Sequence, residues 1–349
     1  MSGRKPRLPR WLSVPVAVCA PLVVLGLIAL AFLQPLAVVA GLVPMAIVLP
    51  GLSWLDRVEP EPRAARVHAI LWGATVAVSV SLIVNTVVAL VVGEIAAMVL
   101  SAPLVEEGAK ALGIYWAVRR REIDGLSDGV VYAGWVAVGF AVVEDMSYFA
   151  DASIEGALVP VFVIRALLTP FAHPLFTFWI GFAIGRAVRD GRRLVPAAAW
   201  GYGLAVASHA AWNGSLAFGD ITDDVDDDVA LGVVMIAVVL FIAMFTSVVA
   251  TLFMMRRREL RRFVIMWPFL VKQYALAPAE SAMFLDWANL LRMRRRLSRR
   301  QRRRFDDVHA ALARLSLLHE RMNDIDPGVE RVLVAQLDEA RSALLQEVS

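Results

Sequence analysis

The sequence predicts an all-α protein that crosses a membrane several times. The first observation is its apolar content, 59% of 349 residues, which exceeds the roughly half that is typical of soluble proteins. The second is that these residues form long runs, and a transmembrane helix needs about 20 apolar residues in succession. The third is an alternation of basic and non-basic loops between the runs. Together they favour a polytopic helical membrane protein.

Eight runs are long enough to span a bilayer. The first has an apolar core longer than the roughly 7–15 residues of a signal sequence, so we expect it to remain as an anchor. We therefore predict about eight transmembrane helices within residues 1–255. In chain order the runs are Trp11–Leu33, Leu36–Leu55, Ala69–Val92, Ile95–Val118, Ser127–Phe149, Val159–Val188, Leu194–Phe218 and Val229–Met255.

The loop charges predict the orientation of these helices. Five segments rich in Arg alternate with four loops that contain no Lys or Arg, and two of those four are acidic, Asp151–Glu155 and Asp220–Asp228. Basic loops stay on the cytoplasmic side. An even number of spans with both termini cytoplasmic satisfies this rule, and we expect the protein in the plasma membrane.

Residues 256–349 are predicted to form a basic, helical, cytoplasmic tail. The segment Phe263–Leu276 is apolar but short and interrupted by Pro268, so we expect it at the membrane interface. Nine arginines lie between Arg292 and Arg304, and such a run beside a membrane is typical of an anionic-lipid contact. We expect no nucleic-acid partner, because no aromatic residues are interleaved with the charges. A helical hairpin with its turn near Asn323–Gly328 completes the tail.

Ionisable residues inside the predicted spans are the candidates for function, since a charge near the bilayer centre costs several kcal/mol unless it is paired or hydrated. The single cysteine, Cys19, excludes a disulfide framework and thiolate zinc sites. Any metal must therefore be held by His, Asp, Glu or Asn. The ionisable residues within the spans are Glu106, Glu107, Lys110, Glu144, Asp145, Arg165, His173 and His209.

Four of these residues fall at one depth. Glu106 and His173 each lie thirteen residues from an arginine at the cytoplasmic end of their helix, or roughly 20 Å. His209 and Glu144 each lie sixteen residues from a charged residue at theirs, or roughly 24 Å. Residues from four helices are therefore expected in one layer.

Local spacing supports a site in this layer. Lys110 follows Glu106 by four residues and Glu107 by three, so it can reach either carboxylate on one helix face as a structural counter-charge. His209 and Asn213 are also four apart. Two adjacent carboxylates resist ionising together, so one is free to titrate.

The helix that carries His173 is predicted to be broken, because Pro170 and Pro174 flank the histidine. Broken helices at membrane depth need a covering of protein or a water-filled cavity. Glu144 and Asp145 also have a purely structural interpretation, in which one of them only forms an ion pair with Arg165.

These residues resemble the PrsW family of intramembrane proteases, a branch of the CAAX-protease superfamily. The resemblance covers about Gly93 to Phe218, and one departure is Asp145, where an amide is expected. Its motifs occur in the family's order on successive helices: Glu106-Glu107-Gly108-Ala109-Lys110, Phe140-Ala141-Val142-Val143-Glu144, His173, and His209-Ala210-Ala211-Trp212-Asn213.

Two mechanisms of peptide hydrolysis fit the residues. In the first, Glu144, His173 and His209 bind one divalent metal ion, most simply Zn²⁺, and Glu106 or Glu107 is the general base.

In the second mechanism no metal is bound. Glu106 activates water directly, while His209 and Asn213 donate to the oxyanion.

The resemblance implies a substrate cleaved at or near the membrane, such as a single-span anti-sigma factor. Two other classes compete. A proton- or ion-coupled transporter also uses carboxylates at the midplane, but the spans contain no inverted repeat. A non-catalytic scaffold of the same fold would be expected to lack a member of the catalytic set.

Overall fold

The computed structural model describes residues 14–57, 60–218, 227–276, 284, 287–320 and 327–348, and over these residues it is helical with no strand. The helices are α1 (Val14–Leu33), α2 (Pro35–Leu55), α3 (Arg63–Val91), α4 (Ala102–Arg119), α5 (Leu126–Ile154), α6 (Leu158–Phe162), α7 (Ala172–Arg189), α8 (Leu194–Leu216), α9 (Asp227–Tyr274), α10 (Trp287–Arg296), α11 (Arg299–Glu320) and α12 (Pro327–Val348).

Within the described residues, six helical segments are long and apolar enough to cross a membrane, which confirms the prediction of an all-α polytopic protein. They are α1, α2, α3, α5, the run Leu158–Arg189 that contains α6 and α7, and the apolar part of α9. Helices α4 and α8 form where the sequence predicts them but do not meet the same criterion of apolar content. They carry the buried residues Glu106, Glu107, Lys110 and His209. The count of eight spans stays a prediction.

Three π-helical turns interrupt the regular helices. Trp72–Ala77 lies inside α3, Ala97–Ser101 precedes α4, and Val163–Leu168 follows α6. Such turns occur often at functional sites, because each widens the helix by one residue and redirects its side chains. No feature of the sequence predicted them.

Helix α5 is the centre of the membrane unit, which consists of the described residues between Val14 and Leu55 and between Glu61 and Leu252. Of its apolar stretch, 83% is buried, whereas α1 has no buried residue. The close crossing of α5 with α7 depends on glycines: a Cβ at Gly181 would collide with the carbonyl oxygen of Gly129, and one at Gly185 would lie 2.7 Å from the carbonyl oxygen of Gly125. Small residues of this kind let membrane helices approach closely.

The predicted break before His173 is present. The π turn ends at Leu168, and α7 begins at Ala172. Between them the backbone N–H and the hydroxyl of Thr169 both donate to the carbonyl oxygen of Ile164, each at 2.9 Å. The histidine therefore stands in the first turn of a new helix.

The tail unit comprises Asp56–Pro60 and the described residues from Phe253 onward. Its core contains Phe263, Trp267 and Leu270 from α9 together with Phe305 and Leu312 from α11. Helices α11 and α12 pack on each other as the predicted hairpin does, and most of its turn, residues 321–326, lies outside the described residues.

One prediction for this region was wrong: Pro268 does not interrupt the segment Phe263–Leu276, because α9 continues through it as far as Tyr274. The expected place of the segment at the membrane interface stays a prediction. Its apolar residues repeat at three- and four-residue spacing, and they are buried against the tail helices. This packing compensates for the backbone hydrogen bond that the proline removes. The acidic loop predicted at Asp220–Asp228 lies mostly outside the described residues.

Candidate active site

A fully buried ion pair on α4 forms the base of the site. Lys110 Nζ donates to Glu107 Oε1 at 2.8 Å and lies 3.5 Å from Glu106 Oε2. Neither Lys110 nor Glu107 is exposed at all. The predicted reach of Lys110 to both carboxylates is therefore present, and its ammonium offsets part of the cost of burying them.

Glu107 is held by three helices at once. Its Oε1 lies 3.3 Å from His209 Nδ1 on α8, and its Oε2 accepts a hydrogen bond of 2.8 Å from Thr177 Oγ1 on α7. A carboxylate that accepts from Nδ1 fixes the histidine tautomer with its proton on that nitrogen. The other ring nitrogen, His209 Nε2, is then free to act as a base or a ligand.

Glu106 differs from its neighbour. Its Oε2 is buried and has no hydrogen-bond partner among the described residues, although it lies 4.0 Å from His209 Nε2. A buried acceptor without a hydrogen bond costs about 1–3 kcal/mol, and the Lys110 ammonium, 3.5 Å away, offsets part of that cost here. Glu106 lines the cavity, where this oxygen can accept a hydrogen bond from a bound group.

His173 connects the pair on α4 to the carboxylate on α5. Its Nδ1 lies 3.1 Å from Lys110 Nζ, and its Nε2 lies 2.6 Å from Glu144 Oε2. Because an ammonium group only donates, Nδ1 must accept and Nε2 must donate to Glu144. This network joins the first three motifs of the sequence directly.

Arg165 binds the carboxylates of α5 from the π turn after α6. Its Nη2 donates to Glu144 at 2.6 Å, its Nε donates to Asp145 at 2.7 Å, and its guanidinium lies 3.8 Å from the ring centroid of Tyr148. The structural pairing considered as an alternative for Glu144 and Asp145 is therefore present. It coexists with the contact of Glu144 to His173, so the pairing does not remove Glu144 from the site.

Aromatic rings fix the two histidines. Phe176 stacks on His209 with 4.7 Å between ring centroids, and Phe140 meets His173 edge-on at 5.2 Å while also lying 4.0 Å from Lys110 Nζ. The phenylalanine of the second motif thus supports both a histidine and the buried ammonium. Rings packed in this way hold the imidazoles in one orientation.

Asn213 reaches the same region by a different contact. Its Nδ2 donates to the carbonyl oxygen of Met98 at 2.9 Å, and Met98 lies in the π turn before α4. One of its two N–H groups is thus used to satisfy a backbone acceptor. Its predicted role as an oxyanion donor stays a prediction.

Sequence reasoning missed Thr177. This residue follows His173 by four positions, so the two share one face of α7. It is a polar residue in an apolar helix, and that signal was available in the sequence. The structure places its hydroxyl on Glu107, where it completes the carboxylate's hydrogen bonding.

Three side chains of the site offer atoms that can ligate a metal ion, and His173 would bind one by exchanging its contact with Lys110 or with Glu144 for the ion. One atom from each of Glu106, His173 and His209 lies within 4.8 Å of the others, and all three residues are buried. Two histidines and one carboxylate are a common ligand set of catalytic zinc. Glu107, on the far nitrogen of His209, would orient that ligand as carboxylates do in zinc enzymes.

The formal charge of the cluster also favours a bound divalent metal ion. Four carboxylates face two cations, which leaves a charge of −2 that one divalent ion would balance. The charged residues concerned are Glu106, Glu107, Glu144, Asp145, Lys110 and Arg165.

This group of donor atoms differs in one member from the ligand set predicted from sequence, Glu144, His173 and His209, which stays a prediction. Glu144 contacts Arg165 and His173, and 20% of its side chain is exposed, against 5% for Glu106. A cavity of about 1070 Å³ is lined by Glu106, Glu144, His173, His209 and Asn213. Glu107 lies behind it and does not line it.

Comparison with known proteins gives one family. The profile described as "PrsW family intramembrane metalloprotease" matches residues 61–247, a segment that includes α3 to α8 and every residue of the site. No solved structure matches the chain.

Two curated relatives are similar to part of the chain. A Protease PrsW of Geobacillus kaustophilus (strain HTA426) is 32% identical over 151 residues, and a Protease PrsW of Clostridioides difficile (strain 630) is 31% identical over 155. In both cases the match covers 42% of this chain and 65% of the relative. The matched family profile covers more than half of the chain, and the chain therefore belongs to the PrsW family.

Proposed function

We propose that this chain is an intramembrane metalloprotease that hydrolyses peptide bonds in membrane-associated proteins. The observation that carries the proposal is the buried set of Glu106, His173 and His209, whose donor atoms lie within 4.8 Å of one another. One oxygen of that set, Glu106 Oε2, has no hydrogen-bond partner among the described residues. The family's description as metalloproteases supports the same conclusion.

The proposed division of roles assigns Glu106, His173 and His209 to the metal, with zinc as the expected ion. Bound zinc supplies Lewis acidity and lowers the pKa of water in its open coordination position. Glu107 holds His209 in the tautomer that leaves Nε2 free, and Lys110 neutralises Glu107. These two residues are thus assigned to orientation and charge balance, although the sequence also admitted Glu107 as the base.

Glu144 is proposed as the general base. It lines the cavity, its side chain is partly exposed there, and its Oε2 is already engaged in a short contact with a histidine. Arg165 holds the carboxylate in place through a charge-assisted hydrogen bond. A base so positioned can take a proton from water and return it to the leaving amine.

The competing mechanism uses no metal, as the suggested placement in the CAAX-protease superfamily would allow. Its support is the same oxygen without a hydrogen bond, since Glu106 Oε2 could accept a proton from water directly. The two mechanisms differ in what Glu106→Gln removes, a ligand in one and a base in the other.

The experiment compares Glu106→Gln and Glu144→Gln with wild type, using Glu155→Gln in an exposed loop as the control. We expect both site variants to lose at least about 100-fold in peptide hydrolysis, the scale of a general-base contribution. Metal analysis of the purified proteins should show zinc retained in Glu144→Gln and lost in Glu106→Gln. Retention of activity in both site variants would overturn the proposal, and an active wild type without metal would select the metal-free mechanism.

We further propose eight spans in the plasma membrane with both termini cytoplasmic, and a tail whose arginines contact anionic lipid. The alternation of basic and non-basic loops supports the orientation. Helices α4 and α8, at 18 and 23 residues, are long enough to complete the count. A reporter fused after Arg193 should behave as cytoplasmic, and external behaviour there would contradict the topology.

A further inference from the structure

The cavity beside the site extends well beyond the catalytic residues. Its volume of about 1070 Å³ slightly exceeds the range of about 300–1000 Å³ that is usual for pockets holding a small molecule. It reaches α1 at Leu22 and Gly26 and the second half of α3 at Leu82. Leu22 is 67% exposed and Leu82 is 66% exposed, so this end of the cavity is an apolar opening between two lipid-facing helices.

The α1 wall of the opening is thinly packed. No residue of α1 is buried, and a Cβ added at Gly26 would meet no atom within 4 Å. Space of this kind between two helices admits a further chain segment.

The α3 wall carries polar groups that the protein itself leaves unpaired. Ser81 lines the cavity, is only 4% exposed, and its Oγ has no hydrogen-bond partner among the described residues. Other helical hydroxyls in this chain donate to the carbonyl four residues earlier, as Thr75 does to Leu71 and Ser208 to Leu204. Ser81 does not, so its hydroxyl is available to a group in the cavity.

Asn85 continues this edge one turn along α3. Its Oδ1 accepts a hydrogen bond of 2.7 Å from Ser101 Oγ, which fixes the amide orientation. Its Nδ2 has no protein partner in the described part of the chain, and the residue lines the same cavity. Ser81 and Asn85 are four residues apart and share a helix face.

We infer that this cavity is the substrate groove, that substrate enters between α1 and α3, and that Ser81 and Asn85 hydrogen-bond the backbone of an extended substrate segment. The inference rests on the proposed function and identifies the form in which that site takes its substrate.

The physical reason lies in the substrate's own backbone. A peptide bond in a transmembrane helix has its N–H and C=O groups paired, so a protease must act on an unwound segment. Each backbone group exposed by unwinding costs several kcal/mol in hydrocarbon unless it finds a partner. A hydroxyl that both donates and accepts, followed by a free amide donor, supplies partners along one edge of the groove.

The kinetic test uses the full-length protein in lipid vesicles and a biotinylated single-span peptide of about 30 residues whose apolar stretch of about 20 is interrupted by Gly-Ser-Gly. Ser81→Ala removes only the hydroxyl, so its KM should rise about 5- to 10-fold with kcat within twofold, the effect of one lost hydrogen bond. Ser247→Ala, on the exposed face of α9, is the matched control. Unchanged kinetics in Ser81→Ala would overturn its role.

Entry is tested by filling the opening. Gly26→Trp should lower the rate at subsaturating peptide at least 10-fold, whereas Gly51→Trp, at another position with no neighbouring atom within 4 Å, should not. Equal rates in both variants would overturn the entry path.

A binding experiment separates this inference from the proposed function. In the Glu106→Gln background, a photoreactive benzoylphenylalanine at Leu82 should cross-link the peptide, and one at Leu240, exposed on α9, should not. Cross-linking at Leu82 without peptide cleavage by the wild type would support the substrate groove and refute the proposed protease activity. Peptide cleavage by the wild type with no cross-linking at Leu82 would support the proposed protease activity and refute the substrate groove.

Discussion

Replacing Lys110 by methionine should destabilise the protein more than any neutral substitution in the site. Methionine keeps the length and apolar stem of the side chain and removes the ammonium. That ammonium lies 2.8 Å from Glu107, 3.5 Å from Glu106 and 3.1 Å from His173, in a place with no solvent exposure. The variant therefore leaves two carboxylates buried without their shared counter-charge.

The expected magnitude follows from that loss. Removing one partner of a buried ion pair costs about 3–5 kcal/mol of stability, because the remaining charge is buried without a counter-charge and without hydration. In domains of comparable size, each kcal/mol shifts the unfolding midpoint by roughly 2–4 °C, so the midpoint should fall on the order of 10 °C. Glu107→Gln should cost less, since Lys110 then still faces Glu106.

The double variant Lys110→Met/Glu107→Gln tests the reasoning. It removes both members of the closest pair, so it should be more stable than the sum of the two single losses predicts, by about 1–3 kcal/mol. The assay is thermal unfolding of purified protein in detergent micelles, followed by tryptophan fluorescence. A Lys110→Met midpoint equal to wild type, or strictly additive losses in the double variant, would refute the claim that this pair is a coupled, desolvated unit.

Two further predictions concern packing and pH. Gly181→Leu should reduce accumulation strongly, because a side chain there collides with the backbone of α5, whereas Gly203→Leu on α8 has open space and should accumulate normally; equal levels of the two would contradict the close crossing. Burial lowers the pKa of His309 in the tail to about 4, so the unfolded tail, with the ordinary histidine pKa of about 6.5, binds a proton first as the pH falls. The free energy of unfolding of the tail should fall by about 2 kcal/mol between pH 7 and pH 5, as measured by hydrogen exchange of α11 in the full chain. His309→Leu should remove this pH dependence, and an unchanged pH dependence in that variant would contradict the assignment to His309.

The sequence was most informative where one physical rule acts alone. Apolar length locates both ends of α2 within one residue and those of α3 and α5 within six, because hydrocarbon thickness sets the number of residues directly. The helix break before His173 was predictable for a similar reason, since Pro170 cannot donate a backbone hydrogen bond and Pro174 fits the first turn of a new helix.

The sequence was least informative where two faces of a helix compete. Glu106 and Glu107 are adjacent, and no residue pattern says which one is enclosed by three helices and which keeps a free oxygen. That distinction depends on the crossing of α4 with α7 and α8, and on the π turn Ala97–Ser101, which shifts the register of everything after it. The extension of α9 through Pro268 was missed because tertiary packing in the tail outweighs the local cost of the proline.

The arrangement of charges explains why the site needs so many helices. A single helix can place Glu107 beside Lys110, but that pair leaves the other carboxylate oxygens of the cluster and two imidazoles to be satisfied away from water. Thr177 supplies one donor to Glu107, His209 supplies another, and Arg165 neutralises Glu144 from a π turn of its own. Once these contacts are made, Glu106 Oε2 is the buried side-chain oxygen of the cluster that still lacks a hydrogen-bond partner among the described residues. The network therefore leaves one carboxylate oxygen without a hydrogen bond from the described part of the chain, 3.5 Å from Lys110 Nζ and 4.0 Å from His209 Nε2. Under the proposed function this is the atom that binds a metal ion or a water, which would supply the partner that burial otherwise denies it.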